Sequence, residues 1–323
     1  MTFETNLISA FLNCPRSPDQ QNAPYTSDAE IVTIGDTLMA VTVDEFSAED
    51  GLGSFETDPR IFGQNLAIAG LSDLLAVGAR PRFWCQSIGC PADRKPAWLH
   101  EFTTGLTSVL NEAGCFIIGG DSGATQNFRL TATAIGDFES NRHPVTRILN
   151  QPAGILAVSG SLGTVNHSAL KGSPVELNYR GSLSQTMNAS AYACIDTSDG
   201  LITSLEMLQK VNPSTTFKLN LETIPYPAGM AIDIPIPKET SLFGAAGEYE
   251  LLYCLPKKCD LPDGLTVIGS FHSADTAEII LENSTTSITY HPHNLDPRVL
   301  DRDTYITELI RFVCDLLGAD VPP

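Results

Sequence analysis

Residues 66–77 read Leu66-Ala67-Ile68-Ala69-Gly70-Leu71-Ser72-Asp73-Leu74-Leu75-Ala76-Val77, and Gly78-Ala79-Arg80-Pro81 follow. The spacing predicts an unusually apolar helix from Ile61 to Val77, stopped by Gly78 and the proline beyond it. Asp73 sits in the middle of that apolar run. A carboxylate there is costly unless it is paired, protonated or bound to a metal. Backbone groups, Arg80 or Arg82 are the ordinary partners; a metal ion or a substrate is the other kind.

Outward from this helix, strands and helices follow one another in an order that suits an α+β or α/β layer arrangement. Upstream, Glu30–Ile34 and Leu38–Val43 read as a hairpin turning at Gly35-Asp36, its second strand ending in Asp44-Glu45. Residues 3–13 carry the spacing of a short helix, and Cys14 to Ser27 reads as a loop. Downstream, a strand is predicted over Phe83–Ile88 and a helix over Ala97–Ala113, closed by Gly114. Cys115–Ile118 reads as a short buried strand running into Gly119-Gly120-Asp121, and Leu130–Ile135 as a further strand. The turn at Gln151-Pro152-Ala153-Gly154 divides the chain into two expected domains, residues 1–150 and 151–323. In the second, strands are expected at Ile155–Val158, Tyr192–Ile195, Tyr249–Cys254, Leu265–Ile268, Ala277–Leu281 and Ser287–Tyr290. Helices are expected from Leu201 to Lys210 and from Tyr305 to Leu317.

Composition narrows the function. A chain of 323 residues with 42% hydrophobic content can build two cores. A formal charge of −19 repels nucleic-acid phosphates and anionic lipid, so nucleic acid and membrane surfaces are not expected partners. No apolar run has the length of a membrane span, and the first residues lack the pattern of a signal peptide, which points to the cytoplasm. The eight cysteines show no CxxC pair; Cys115 and Cys194 lie in apolar runs and read as core residues. Neither GxGxxG nor GxxxxGK[ST] is present, which argues against a Rossmann site or a P-loop.

The remaining chemistry is carboxylate chemistry. Asp121 follows two glycines that let a backbone approach a ligand closely. Asp44 closes one strand and Asp28 precedes its partner. Asp196-Thr197-Ser198-Asp199-Gly200-Leu201 lies between a strand and a helix. Two acids three apart at such a turn can share a cation while the helix start offers donors to phosphate; Ser198 or Asp199 acting as a plain N-cap is the simpler alternative. Mg²⁺ prefers oxygen ligands and is held through a few carboxylates, waters and substrate phosphates, which these scattered aspartates suit better than zinc. The six histidines have no cysteine or third histidine beside them, and read as surface or turn residues.

Taken in order, these segments resemble the ATP-binding family of aminoimidazole ribonucleotide synthetase, selenophosphate synthetase, the hydrogenase-maturation dehydratase and thiamine-monophosphate kinase, and the last most of all. The resemblance rests on Ser27-Asp28-Ala29 with Val41-Thr42-Val43-Asp44, on Leu71-Ser72-Asp73-Leu74 with Gly78-Ala79-Arg80-Pro81, and on Gly119-Gly120-Asp121. It continues through Arg147 with Val158-Ser159-Gly160-Ser161-Leu162-Gly163, Asp196-Thr197-Ser198-Asp199-Gly200-Leu201 and Tyr249-Glu250-Leu251-Leu252. It implies a two-domain aminoimidazole ribonucleotide synthetase-like fold whose N-terminal domains pair into a barrel-like homodimer core. It implies Mg²⁺ on Asp28, Asp44, Asp73, Asp121, Asp196 and Asp199, and ATP contacts from Gly120, Asp121, Arg147 and Ser198. The γ-phosphoryl group of ATP would pass in line to a small phosphorylated or carboxylated acceptor, with no covalent nucleophile from the chain. A cyclo-ligase or a non-catalytic nucleotide-binding maturation protein of the same superfamily is the alternative.

The departures from the kinase pattern fall on the acceptor side. Glu45-Phe46-Ser47-Ala48-Glu49-Asp50-Gly51 carries no histidine where those kinases have one. Their GGED reads Ala245-Ala246-Gly247-Glu248, leaving Glu248 and Tyr249 as acceptor-side candidates. Their glycine-rich loop before the first aspartate reads Tyr25-Thr26-Ser27.

Overall fold

The computed structural model describes residues 10–11, 14–47, 57–140, 142–171, 175–228, 230, 236–297 and 299–320. The helix expected over residues 3–13 therefore lies almost entirely outside the described residues, as does most of the stretch after Phe46 that lacks a histidine.

Two mixed sheets are built from separate parts of the chain. The first contains β1 (Glu30–Ile34), β2 (Thr37–Ser47), β3 (Arg80–Cys90), β4 (Phe116–Ala124) and β5 (Arg129–Asp137). Its order is β1-β2-β5-β3-β4, antiparallel except for the β3/β4 pair. The second contains β6 (Ala153–Ser159), β7 (Ala193–Asp196), β8 (Thr215–Asn220), β9 (Leu251–Leu255), β10 (Leu265–Ser273), β11 (Ile279–Glu282) and β12 (Ser287–Tyr290). Its order is β12-β11-β8-β10-β6-β9-β7.

The apolar run is α1 (Pro59–Ala76). Asp58 caps it by accepting from the Arg60 and Ile61 N–H groups, and Pro59 stands at the position where its missing N–H costs nothing. At the other end Gly78 takes φ +78° and Ala79 N–H returns to the Leu74 carbonyl, a left-handed stop that glycine makes without strain. One side of α1 packs on β2 and β5, another on α2 (Pro96–Glu112), and its C-terminal end meets β7 and β9 of the second sheet. That three-sided burial explains a helix with no polar face.

The C-terminal end of α1 is also tied across to α4 (Gly181–Met187): Ser184 Oγ and Asn188 Nδ2 both donate to the Leu75 carbonyl. The turn of α1 that carries Asp73 is thus fixed by both parts of the chain. Among the described residues the further α-helices are α3 (Thr164–Lys171), α5 (Leu201–Val211) and α6 (Arg302–Leu317).

Three expectations change. Asp44 lies inside β2, which runs on to Ser47 rather than stopping at Val43. The strand expected at Cys115–Ile118 is the longer β4, and it is exposed rather than buried, with Phe116 at 67% and Ile118 at 59%. β4 is an edge strand, so its apolar residues have no sheet neighbour on one side. Asp121 consequently sits within a strand, not after one.

Candidate functional site

Asp28, Asp73 and Asp196 come together where the two sheets meet. Each offers a carboxylate oxygen within 4.8 Å of the others. Asp73 is brought there by the helical turn of α1, Asp196 by the end of β7, and Asp28 by the segment leading into β1. Asp44 projects from β2 on the α1 side of its sheet, in the same row as buried Ala132.

The chain's own donors occupy part of each carboxylate. Thr42 Oγ1 donates to Asp73 Oδ2, and Arg147 Nη2 to Asp28 Oδ1 at 2.7 Å. Asp196 accepts from Ser198 Oγ at 2.8 Å and from Ser72 Oγ, whose single proton it shares with the Ala69 carbonyl. Asp28 Oδ2 and Asp44 Oδ2 are buried and receive no hydrogen bond. Buried carboxylate oxygens left bare next to other carboxylates are unfavourable as they stand.

The electrostatics follow from that crowding. Burial first, then the Asp196 charge, pushes Asp44 up to about 7. Burial raises Asp28 to about 6 against the opposing pull of Arg147. Asp73 is raised well above the ordinary carboxylate range by burial and by the charges of Asp196, Asp44 and Asp28. Burial pulls the Arg147 guanidinium down, but Asp28 and the other carboxylates more than offset it. A hard divalent cation fits this donor set: oxygen ligands only, converging, with two unsatisfied oxygens and no cysteine or histidine in the cluster.

The other expected residues are placed as follows. Asp121 does not join the cluster within one chain. It shares a row with Ser87, Thr131 and Glu45, whereas Asp44 shares one with Ala132, Gln86 and Gly120, so the two aspartates project from opposite faces of the sheet. Gly120 lies so close to the Gln86 carbonyl that a Cβ there would sit 2.1 Å from it. Asp199 is exposed in the turn before α5 and borders a cavity of about 810 Å³. Gly200 beside it has φ +85° and opens α5.

Arg147 is engaged by Asp28 and by the Tyr25 carbonyl, at 3.4 Å, and its Nε has no partner. Glu248 is buried and accepts the Val165 N–H at 2.9 Å, holding the first turn of α3; burial raises it to about 8. Tyr249 takes φ +53°.

Sequence reasoning did not single out Thr42, Ser72 or the buried Arg180–Glu250 pair. Arg180 Nε and Nη2 each reach Glu250 at 2.6 Å, and Ser159 Oγ adds a third donor. The hydroxyls sit next to quoted motif aspartates, so adjacency was the available signal. Arg180 lies in a stretch without periodicity and offered none.

Comparison with known proteins follows the same residues. Positions 26–138, which contain Asp28, Asp44, Asp73 and Asp121, match the family model described as AIR synthase related protein, N-terminal domain. A thiamine-monophosphate kinase of Synechococcus elongatus is 28% identical over 221 residues, covering 62% of this chain and 66% of the relative. A selenide, water dikinase of Trichlorobacter lovleyi is 30% identical over 236 residues, covering 68% of this chain and 66% of the relative. The chain thus spans about two thirds of the length of each of these curated relatives. A solved structure described as AaThiL complexed with AMPPCP and TMP shares the fold, with a TM-score of 0.72 at 18% identity, covering 85% of this chain and 93% of that one.

Proposed function

We propose that this chain, a member of the AIR synthase-related superfamily, is a Mg²⁺- and ATP-dependent phosphotransferase of the thiamine-monophosphate kinase type, moving the γ-phosphoryl group of ATP to a small phosphorylated or carboxylated acceptor. The observation that carries the reading is the convergence of half-buried Asp28 and Asp73 with buried Asp196, beside Asp44, with one oxygen of Asp28 and one of Asp44 unsatisfied. The relatives' names supply the reaction, and the cluster supplies a reason for it.

Asp28, Asp44, Asp73 and Asp196 would hold Mg²⁺, with Asp199 at the mouth. When bound, Mg²⁺ supplies neutralisation of the phosphate charge. The chain does the positioning. Thr42, Ser72 and Ser198 each fix one face of a carboxylate, so that the remaining lone pairs converge instead of rotating away. Arg147 is placed to exchange its bond with Asp28 for one to a nucleotide phosphate. Transfer in line between two phosphates needs orientation and charge stabilisation rather than a covalent nucleophile. Asp121, on the far face of the sheet, with Gly120 beside it in β4, would complete the nucleotide site of a second copy in a homodimer. Glu248 and Tyr249 would lie on the acceptor side. We place the domains at residues 1–150 and 151–323 and the protein in the cytoplasm; no described helix is long and apolar enough to cross a membrane.

The test is calorimetric titration of a non-hydrolysable ATP analogue with and without Mg²⁺, followed by a screen of acceptors beginning with thiamine monophosphate. Mg²⁺-dependent binding is expected. No heat under either condition would overturn the reading.

A further inference from the structure

The segment before Asp28 is strained and caps a cavity that the aspartates do not fill. Tyr25 has φ +65°, a left-handed conformation that a bulky residue adopts only where its surroundings enforce it. Three contacts enforce it here. Arg147 Nη1 reaches the Tyr25 carbonyl, Arg147 N–H donates to the Thr26 carbonyl at 2.8 Å, and Lys210 Nζ of α5 stands 4.5 Å from the centre of the tyrosine ring. The strap thus crosses from the first sheet's side of the molecule onto α5. The ring helps line the cavity of about 810 Å³ that Asp199 also lines, and whose apolar lining includes Phe243, Leu295 and Tyr305. That volume lies within the range of small-molecule sites. Asp199, three residues beyond Asp196, lines the cavity, and the Tyr25 carbonyl accepts from Arg147, which also pairs with Asp28 of the cluster.

We propose that this cavity is a ring subsite, in which Tyr25 stacks against the flat heteroaromatic end of a phosphate-bearing ligand whose phosphates lie at the aspartate cluster. The inference rests on the phosphotransferase reading and names what that reading leaves open, the specificity-determining contact. A glycine at position 25 would adopt φ +65° freely, so the strain is retained for the side chain and not for the turn. Lys210 Nζ stands over the ring face, so this face already carries a cation–π contact that a flat ring would have to replace. Asp199, Glu206, Asp275 and Asp296 also line the cavity, so it favours a neutral or cationic ring over an anionic one. Two sources fit the shared chemistry: the base of a nucleotide and the ring of a phosphorylated acceptor.

Calorimetry separates them. AMPPCP with Mg²⁺, and thiamine monophosphate with Mg²⁺, are titrated separately into wild type, Tyr25→Gly and Tyr25→Phe, and the Tm of each protein is recorded. Loss of a stacking partner weakens affinity by about tenfold or more. Tyr25→Gly is expected to bind one of the two ligands at least about tenfold more weakly with no fall in Tm, and Tyr25→Phe to restore that affinity. The ligand that weakens is the occupant. Unchanged affinity of Tyr25→Gly for both ligands, where wild type binds, overturns the ring subsite and leaves the function standing. A parallel fall in Tm and affinity, not rescued by phenylalanine, makes Tyr25 structural and overturns it too. Wild type that binds neither ligand overturns the phosphotransferase reading and the subsite with it.

Discussion

Asp73 shows how a single residue can be unfavourable to the fold and yet belong to the proposed metal site. Its carboxyl is buried in an apolar helix and faces three other carboxylates, so the fold favours its protonated form. The sign of the consequence follows from linkage. Asp28 and Asp44 are raised from 3.8 to about 6 and about 7, so the metal-free protein holds their protons more tightly than the unfolded chain does. This contribution is present in acid and is lost as pH rises through that window. A divalent cation binds the ionised form, so the stabilisation it gives grows over the same range. The Tm gain from added Mg²⁺ should be small near pH 5 and largest near pH 8. At a hundredfold excess over Kd it should reach roughly 2.7 kcal/mol, a shift of several degrees. Asp73→Asn should raise the Tm of the metal-free protein at pH 8 while removing the Mg²⁺ response. A variant that keeps the full response would remove Asp73 from the metal site.

At the scale of elements, the crossing of α1 and α2 is built on two glycines. A Cβ on Gly105 would lie 1.9 Å from the Arg60 carbonyl, and one on Gly63 would lie 2.1 Å from the Phe102 carbonyl. The backbones therefore approach closer than side chains permit, and Phe62, Trp98, Phe102 and Phe128 pack around the contact. Gly105→Ala must push α2 away from α1. A loss of about 1–3 kcal/mol is expected, seen as a lower midpoint in urea with an unchanged slope; a neutral result would mean that the helices separate without cost. This contact also marks the limit of what the sequence discloses. The run from Leu66 to Val77 announced a buried helix with one exceptional carboxylate, and Gly35-Asp36, Gly78 and Gly114 announced where elements turn or stop. These are local signals, carried by periodicity and φ requirements. Cys115–Ile118 looked buried because a short apolar run has the same composition whether it lies at the centre of a sheet or at its edge. β8 was not anticipated at Thr215–Asn220, where Thr, Lys and Asn dilute an otherwise buried strand. The gathering of Asp28, Asp73 and Asp196 was expected from family order, since nothing in their spacing along the chain places them side by side.

The whole molecule carries an imbalance that one chain does not resolve. Beyond the exposed Phe116 and Ile118 of β4, Val43 and Phe83 stand 61% and 38% exposed on the sheet face turned away from α1. Asp121 projects from that same face, with Glu45 and Ser87 in its row. An edge strand bearing large apolar residues invites pairing with another chain, and a net charge of −19 opposes pairing without specificity. A second copy covering this face would bury the apolar residues and give Asp121 a site to serve, which is why an aspartate remote from the cluster belongs to the proposed nucleotide site at all. Phe116→Asp places a charge in the centre of that contact. The wild type is expected to have the mass of a dimer by light scattering, and the variant that of a monomer with at least about tenfold weaker binding of the ATP analogue, because the two halves of the site no longer meet. Asp121→Asn is expected to weaken nucleotide binding while leaving the dimer intact. A wild-type chain that is monomeric and still binds the nucleotide would show that the Asp28, Asp73 and Asp196 cluster is sufficient alone, and would leave Asp121 without a role.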